Sequence, residues 1–285
     1  MIPGAFEYYA PNSLDDAVKF LATHRDDVKV LSGGQSLLPL MKMRLSKPGF
    51  VVDICRIPGL DAIREEGNNL IIGALVTHAQ IESSDLLQKK CPLLPQTATT
   101  IADVQVRNRG TIGGSVAHAD PAGDWPAAVI ALDAEIKIAG PNGDRWVNCD
   151  EFFLGLLMSV LQPDEIVTAI KVPVTGNDKT AYLKAAPRSS GFAVVGVAAR
   201  IGLDGSGTCS RAAIAITGVT DKAYRPQRVE QMLAGTTLDT KTIETAAAES
   251  TRNVEVIEDI NGSAEYRKHL TEVYVVRAIQ DALSQ

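Results

Sequence analysis

Along the first 175 residues, short apolar runs alternate with amphipathic stretches. Leu14, Ala17, Phe20 and Leu21 recur at helical spacing, with Ser13 placed to cap that helix and Asp16 in its first turn. Three apolar runs predict strands: "VKVLSGG", which runs into a glycine turn, "GFVVDI" and "NNLIIGAL". Thr77 is placed to cap one helix through "HAQIESSDLL", and "PLLPQTATTIAD" predicts another after its prolines. Asp124-Trp125-Pro126 reads as a further helix start, with Asp124 as cap and the proline in the first turn. "AEIKIAGPNGDRWVN" alternates on both sides of Asn142-Gly143, which predicts a hairpin. "EIVTAIKVP" predicts the strand that closes this half.

The pattern breaks near residues 173–180, where "VPVTGNDKTA" brings Pro, Gly, Asn and Asp together. Beyond it, "TAYLKAAPRSSGFAVVGVAARIGLDGSGTCSRAAIAITGV" predicts an antiparallel meander whose tightest turn is "LDGSGT". Helical patterns follow at 226–234, 239–250 and 263–284, the last amphipathic through Arg277, Ala278, Ile279 and Leu283. The expected class is α+β, with helices on one side of a sheet.

At 285 residues and 45% hydrophobic, the chain suffices for one large domain or two moderate ones. Its net charge of −6 argues against a nucleic-acid or membrane-surface binder, either of which needs a basic face. "IPGAFEYYAPNS" has neither a basic n-region nor an apolar h-region, and no apolar run reaches bilayer length. A cytoplasmic protein without a membrane span is expected. Cys55, Cys91, Cys149 and Cys209 are scattered, without any C-x-x-C, and His24, His78, His118 and His269 are equally dispersed. Such a pattern gives no sequence basis for an iron–sulfur cluster or a zinc site.

Two segments share a design of strand, diglycine and hydroxyl. They are Ser32-Gly33-Gly34-Gln35-Ser36 and, beyond Gly110, Thr111-Ile112-Gly113-Gly114-Ser115. Adjacent glycines let successive N–H groups turn inward as an anion nest, while the hydroxyls add donors. Each is equally a tight turn taken alone. Two nests brought together by folding would suit the two phosphates of a dinucleotide. No G-x-G-x-x-G follows a strand, so the fold that binds such a ligand is not a Rossmann domain. Arg107 and Arg109, read as an extended segment, face one way; they serve an anion or partner, or form a solvated edge. His118 and Asp120 read as structural hydrogen-bonding residues rather than a catalytic pair. Asp124 is a cap or an acceptor for a sugar-like hydroxyl chain.

"LSGGQSLLPLMKMRLSKPGFVVDICRIPGL" and "ADVQVRNRGTIGGSVAHADPAGDWPA" closely resemble the flavin-carrying medium subunit of the molybdenum hydroxylases. That group includes bacterial carbon monoxide dehydrogenase, and the same module is embedded in xanthine dehydrogenase. "FFLGLLMSVLQPDEIVTAIKVP" and "YLKAAPRSSGFAVV" follow in the family's order, so the resemblance spans essentially the whole chain. It implies a vanillyl-alcohol-oxidase-like FAD domain over 1–175, with subdomains of about 1–55 and 56–175. A C-terminal antiparallel sheet-and-helix domain is implied over 178–285. It further implies that FAD lies against a first loop of Lys29, Val30, Leu31, Ser32, Gly33, Gly34, Gln35 and Ser36. The second loop is Thr111, Ile112, Gly113, Gly114 and Ser115, and the four diglycine residues are bare because the pyrophosphate lies on their amides. Ile101 falls beside the isoalloxazine, where the xanthine enzymes carry an aromatic residue. Asp124, Leu161 and Lys184 match further contacts, and Lys184 is expected to place positive charge near the flavin. With no His or Cys inside either loop, the FAD is expected to be non-covalent. The resemblance places two [2Fe–2S] clusters in a small partner subunit and a molybdenum–pterin in a large one, within a dimer of heterotrimers. This chain then passes electrons to an external acceptor. The alternative is a stand-alone oxidase of the vanillyl-alcohol-oxidase class.

Overall fold

A computed structural model of the chain describes residues 2–187 and 190–285; of the motif "YLKAAPRSSGFAVV", Arg188 and Ser189 lie outside the described residues. Strands β1 (Glu7–Tyr9), β2 (Val28–Leu31) and β3 (Phe50–Asp53) form a small parallel sheet in the order β1-β3-β2. Parallel neighbours need crossovers, and helices supply both. α1 (Leu14–His24) joins β1 to β2; Ser13 caps it by accepting the Asp16 amide at 3.1 Å, and Ala17, Val18 and Leu21 face inward. The chain leaves the carboxyl end of β2 at Leu31, turns at Gly34 (φ +74°), and enters α2 (Leu37–Lys42) on its way to β3. Loops at the carboxyl ends of parallel strands are where α/β sheets bind ligands.

β4 (Ile63–Glu66) and β5 (Asn69–Gly73) open the second sheet. Short helices follow: α3 (His78–Glu82), α4 (Asp85–Lys90), α5 (Leu93–Thr99), α6 (Val104–Arg107), α7 (Ile112–His118) and α8 (Asp124–Ala131). The stretch expected as one helix from Thr77 is two. Thr77 makes a capping box with Gln80, but Ser84 then accepts the Leu87 amide and caps a new helix, α4. The next helix stops before Ile101-Ala102, where Ala102 takes φ +40°. Arg107 and Arg109 do not lie on an extended segment either, because Asp103 caps α6 through the Val106 amide and winds Arg107 into it.

β6 (Glu135–Gly140) and β7 (Gly143–Asn148) form the expected hairpin, with Gly143 at φ +101°. After α9 (Cys149–Phe152) comes a ribbon of β8 (Phe153–Gly155) and β9 (Met158–Ser159), then β10 (Ile166–Pro173). The second sheet is antiparallel throughout, in the order β4-β5-β10-β6-β7.

The meander is β11 (Lys179–Ala185), β12 (Val195–Leu203) and β13 (Cys209–Thr217), antiparallel in that order. One face, with Tyr182, Ala198 and Ala215, joins the core built around α8. The other, with Val195, Val197, Ala199, Ile214 and Ile216, packs under α10 (Gln227–Leu233), α11 (Thr240–Ala247) and α12 (Ala264–Ser284). Asp239 and Ser263 cap the last two helices. Every residue of α8 is buried, as expected for a helix that is apolar on all sides beyond Asp124 and sits within the core. Trp125 at its start is fully enclosed.

Candidate functional site

A cavity of about 780 Å³ lies where the β2–α2 loop, the starts of α7 and α8, the Ile101-Ala102 turn, the ribbon and the segment Ser190–Phe192 converge. Lys29, Val30, Ser32, Gly33, Gly34, Gln35 and Ser36 line it from one side, and Thr111, Gly113, Gly114 and Ser115 from the other; Ile101, Asp124 and Leu161 complete the expected set on its wall. Leu31, Ile112 and Lys184 stand behind the wall. Ile112 is a fully buried core residue.

Folding joins the two glycine loops directly. The hydroxyls of Ser32 and Thr111 are 2.7 Å apart, across 79 residues of sequence. The loops differ in what they offer a ligand. The amides of Gly33, Gly34, Gln35 and Ser36 meet no acceptor among the described residues, which leaves four successive N–H donors uncommitted in a loop that lines the cavity. The amides of the second loop are committed within the protein: Ile112 to Val76 O at 3.0 Å, Gly113 to Ala74 O at 3.0 Å, Gly114 to the Thr111 hydroxyl at 3.1 Å and Ser115 to Thr111 O at 3.0 Å. The site therefore holds one amide nest, not two; its second loop contributes hydroxyls and room.

The glycines are bare for different reasons. A Cβ on Gly33 would run into the carbonyl of Arg109, and one on Gly113 into Ala74, so these two positions serve close approach of protein to protein. Gly34 is required by its positive φ. Gly114 is less enclosed: a Cβ there would crowd the Thr111 hydroxyl at 2.8 Å but come no closer than 3.7 Å to Ser32.

Asp124 is the first helical residue of α8 rather than its cap, a role taken by Gly123. Its carboxylate is drawn away from the helix end by two other donors. Tyr182 donates its hydroxyl at 2.6 Å, and Lys184 Nζ lies 3.0 Å from it while also donating to Gly191 O at 2.6 Å. The Lys184–Asp124 ion pair is nearly sealed, with side chains 8% and 6% exposed. Burial raises the Asp124 carboxyl despite the opposing pull of Lys184 and Tyr182. The ammonium that was expected to present its charge to the flavin is thus neutralised by Asp124, which itself borders the cavity.

Arg107 turns inward. It pairs with Glu82 at 2.8 Å and donates to the carbonyls of Ile101 and Ala102 at 3.1 and 3.3 Å, bracing the turn that walls the cavity. Asp120 accepts the Ala122 amide, the structural role expected of it, whereas His118 lines the cavity and its ring makes no hydrogen bond among the described residues. The wall also includes residues that no sequence motif marks, among them His78, Ala102 and Phe192. His78 is buried, accepts the Trp125 indole N–H on Nδ1 at 3.1 Å, and has its pKa lowered to about 4 by burial and by the charge of Arg107. Its partner lies 47 residues away, so no local motif marks it.

These features fit FAD. The cavity lies within the range of about 300–1,000 Å³ usual for small-molecule sites. The nest meets an anion, and Ile101, Ala102, Leu161 and Phe192 give an apolar wall for a ring system. This is a dinucleotide-binding module built outside the Rossmann plan.

Residues 4–175 match the family model described as "FAD binding domain in molybdopterin dehydrogenase", and residues 180–282 match "CO dehydrogenase flavoprotein C-terminal domain". The chain belongs to this family of FAD-binding subunits of the molybdenum hydroxylases. It is 40% identical to the carbon monoxide dehydrogenase medium chain of Hydrogenophaga pseudoflava over 99% of this chain and 98% of that one. It is 37% identical to the nicotine 6-hydroxylase medium subunit of Paenarthrobacter nicotinovorans, covering 98% and 97%. A solved structure of the Hydrogenophaga pseudoflava carbon monoxide dehydrogenase superposes with a TM-score of 0.97 at 41% identity, covering 100% of this chain and 99% of that chain. These are subunits of larger dehydrogenases, which favours an electron-transfer subunit over a stand-alone oxidase. Among the described residues, no helix is long and apolar enough to cross a membrane.

Proposed function

We propose that this chain is the flavin port of a molybdenum hydroxylase. It takes electrons from [2Fe–2S] clusters of a small partner subunit, reduced in turn by a large molybdenum–pterin subunit, and delivers them to an external acceptor. The assembly is a dimer of heterotrimers in the cytoplasm, a compartment that suits four free cysteines. FAD, when bound, supplies the redox chemistry that links a one-electron donor to the acceptor.

The observation that carries this reading is the pair of loops fused over the cavity through Ser32 and Thr111, with the Gly33–Ser36 amides uncommitted. In this assignment Lys29–Ser36 and Thr111–Ser115 hold the pyrophosphate side, and Ile101 and Leu161 flank the ring system. Asp124 accepts from a ligand hydroxyl, with Lys184 and Tyr182 fixing its position. Residues 1–175 carry the cofactor, and 178–285 close one side of the cavity and extend the surface available to partners. No His or Cys lies in either loop, so the cofactor is held without a covalent bond. Acid precipitation of the purified chain should release FAD at one equivalent per chain. Flavin retained in the pellet, or its absence from a folded chain that also fails to take up added FAD, would contradict the assignment.

A further inference from the structure

Beyond the nest, the hydroxyls and Asp124, the cavity wall includes an imidazole held in place by the core. His78 is 4% exposed, yet it borders the cavity. An indole N–H only donates, so the 3.1 Å contact with Trp125 requires His78 Nδ1 to accept. A neutral imidazole that accepts on Nδ1 carries its proton on Nε2. That Nε2–H has no acceptor among the described residues. The nearby carbonyl of Val106 is already taken by the amides of Arg109 and Gly110. Space is kept for the ring: Gly110 lacks a side chain where a Cβ would sit 2.7 Å from His78 Nε2. The residue is held through both backbone and ring, because the His78 backbone amide also donates to Gly110 O at 3.0 Å.

We propose that His78 Nε2–H is a built-in, uncharged hydrogen-bond donor to the cofactor, locked in that tautomer by Trp125 and aimed from beside the second glycine loop. This rests on the FAD reading above. The group it meets is an acceptor atom, either a pyrophosphate oxygen or a nitrogen or oxygen of the isoalloxazine edge. A neutral donor binds either without adding charge to the site, unlike an arginine or lysine. His78 is a binding and positioning residue; it has no proton to exchange in this role.

The test uses the full-length chain, stripped of flavin, as wild type, His78→Gln and His78→Leu, titrated with FAD, ADP and riboflavin. His78→Leu should weaken FAD about tenfold, the loss of one good hydrogen bond. His78→Gln, whose carboxamide accepts from Trp125 and still donates, should recover most of that loss. A matching loss for ADP assigns the acceptor to the pyrophosphate, and a matching loss for riboflavin assigns it to the ring; either supports the proposal. Wild-type FAD affinity in a folded His78→Leu chain would overturn it, as would a His78→Gln chain no better than His78→Leu. A wild-type chain that binds no FAD would instead fail the reading underneath. Independently of folding in the variants, long-range ¹⁵N–¹H spectra of wild type should show His78 protonated on Nε2, with that proton moving downfield when FAD is added. An Nδ1-protonated ring, or an Nε2 proton unmoved by saturating FAD, would overturn the proposal.

Discussion

The hydroxyls of Ser32 and Thr111 stand 2.7 Å apart, and through that contact the end of a parallel strand meets the start of a helix from the neighbouring sheet. Thr111 caps α7 through the Gly114 amide and touches Ser32 with the same oxygen. Ser32→Ala and Thr111→Val should each lower FAD affinity. A double-mutant cycle should show coupling of about 1 kcal/mol between them, the worth of one hydrogen bond. Strictly additive losses would mean that the loops bind the cofactor separately.

Gly114 and Gly113 are neighbours with different tasks, and substitution should separate them. Gly114→Val crowds the Thr111 hydroxyl at the cavity wall and should strip FAD while leaving a native far-UV circular dichroism spectrum. Gly113→Ala drives a methyl group into Ala74 and should lower the melting temperature of the flavin-free chain. Full flavin occupancy in a folded Gly114→Val chain would show that this position does not face the ligand.

Lys184 serves Asp124 before it serves the cofactor. Lys184→Met leaves a buried carboxylate with only Tyr182 as a partner and should cost about 3 kcal/mol of chain stability. Adding Asp124→Asn removes the unpaired charge and should restore much of that loss. Denaturant melts of the flavin-free single and double variants read this directly; no destabilisation by Lys184→Met would mean that the pair contributes nothing to folding.

Acid should weaken the fold through His78. Its pKa lies near 4 in the folded chain against an ordinary 6.5, lowered chiefly by burial. Between those values the unfolded chain holds more protons, so stability falls as pH drops from 6.5 toward 4 and is flat above 6.5 for this group. The loss reaches at most about 3 kcal/mol. His78→Gln should flatten that part of the stability-against-pH curve, and an unchanged slope would assign the acid sensitivity elsewhere.

Both glycine loops are legible in the sequence because diglycine beside hydroxyls is a local signal, and strand, hairpin and terminal-helix patterns are local too. What the sequence conceals is which amides remain free. Gly113 and Ile112 lose theirs to Ala74 and Val76, and only the packing of α7 against the end of β5 decides that. The same holds for pairs far apart in the chain. His78 meets Trp125 across 47 residues, and Lys184 meets Asp124 across 60. Arg107 reads as a surface arginine until Asp103 winds it into a helix and Glu82 receives it.

The flavin port is tested most directly by following the visible flavin band anaerobically in the FAD-loaded chain. The chain is presented first with small alcohols and then with its iron–sulfur partner, reduced beforehand and freed of excess reductant. The band should persist with the alcohols and bleach when the reduced partner is added. Bleaching by an alcohol in the isolated chain, or no bleaching on mixing with the reduced iron–sulfur partner, would contradict it.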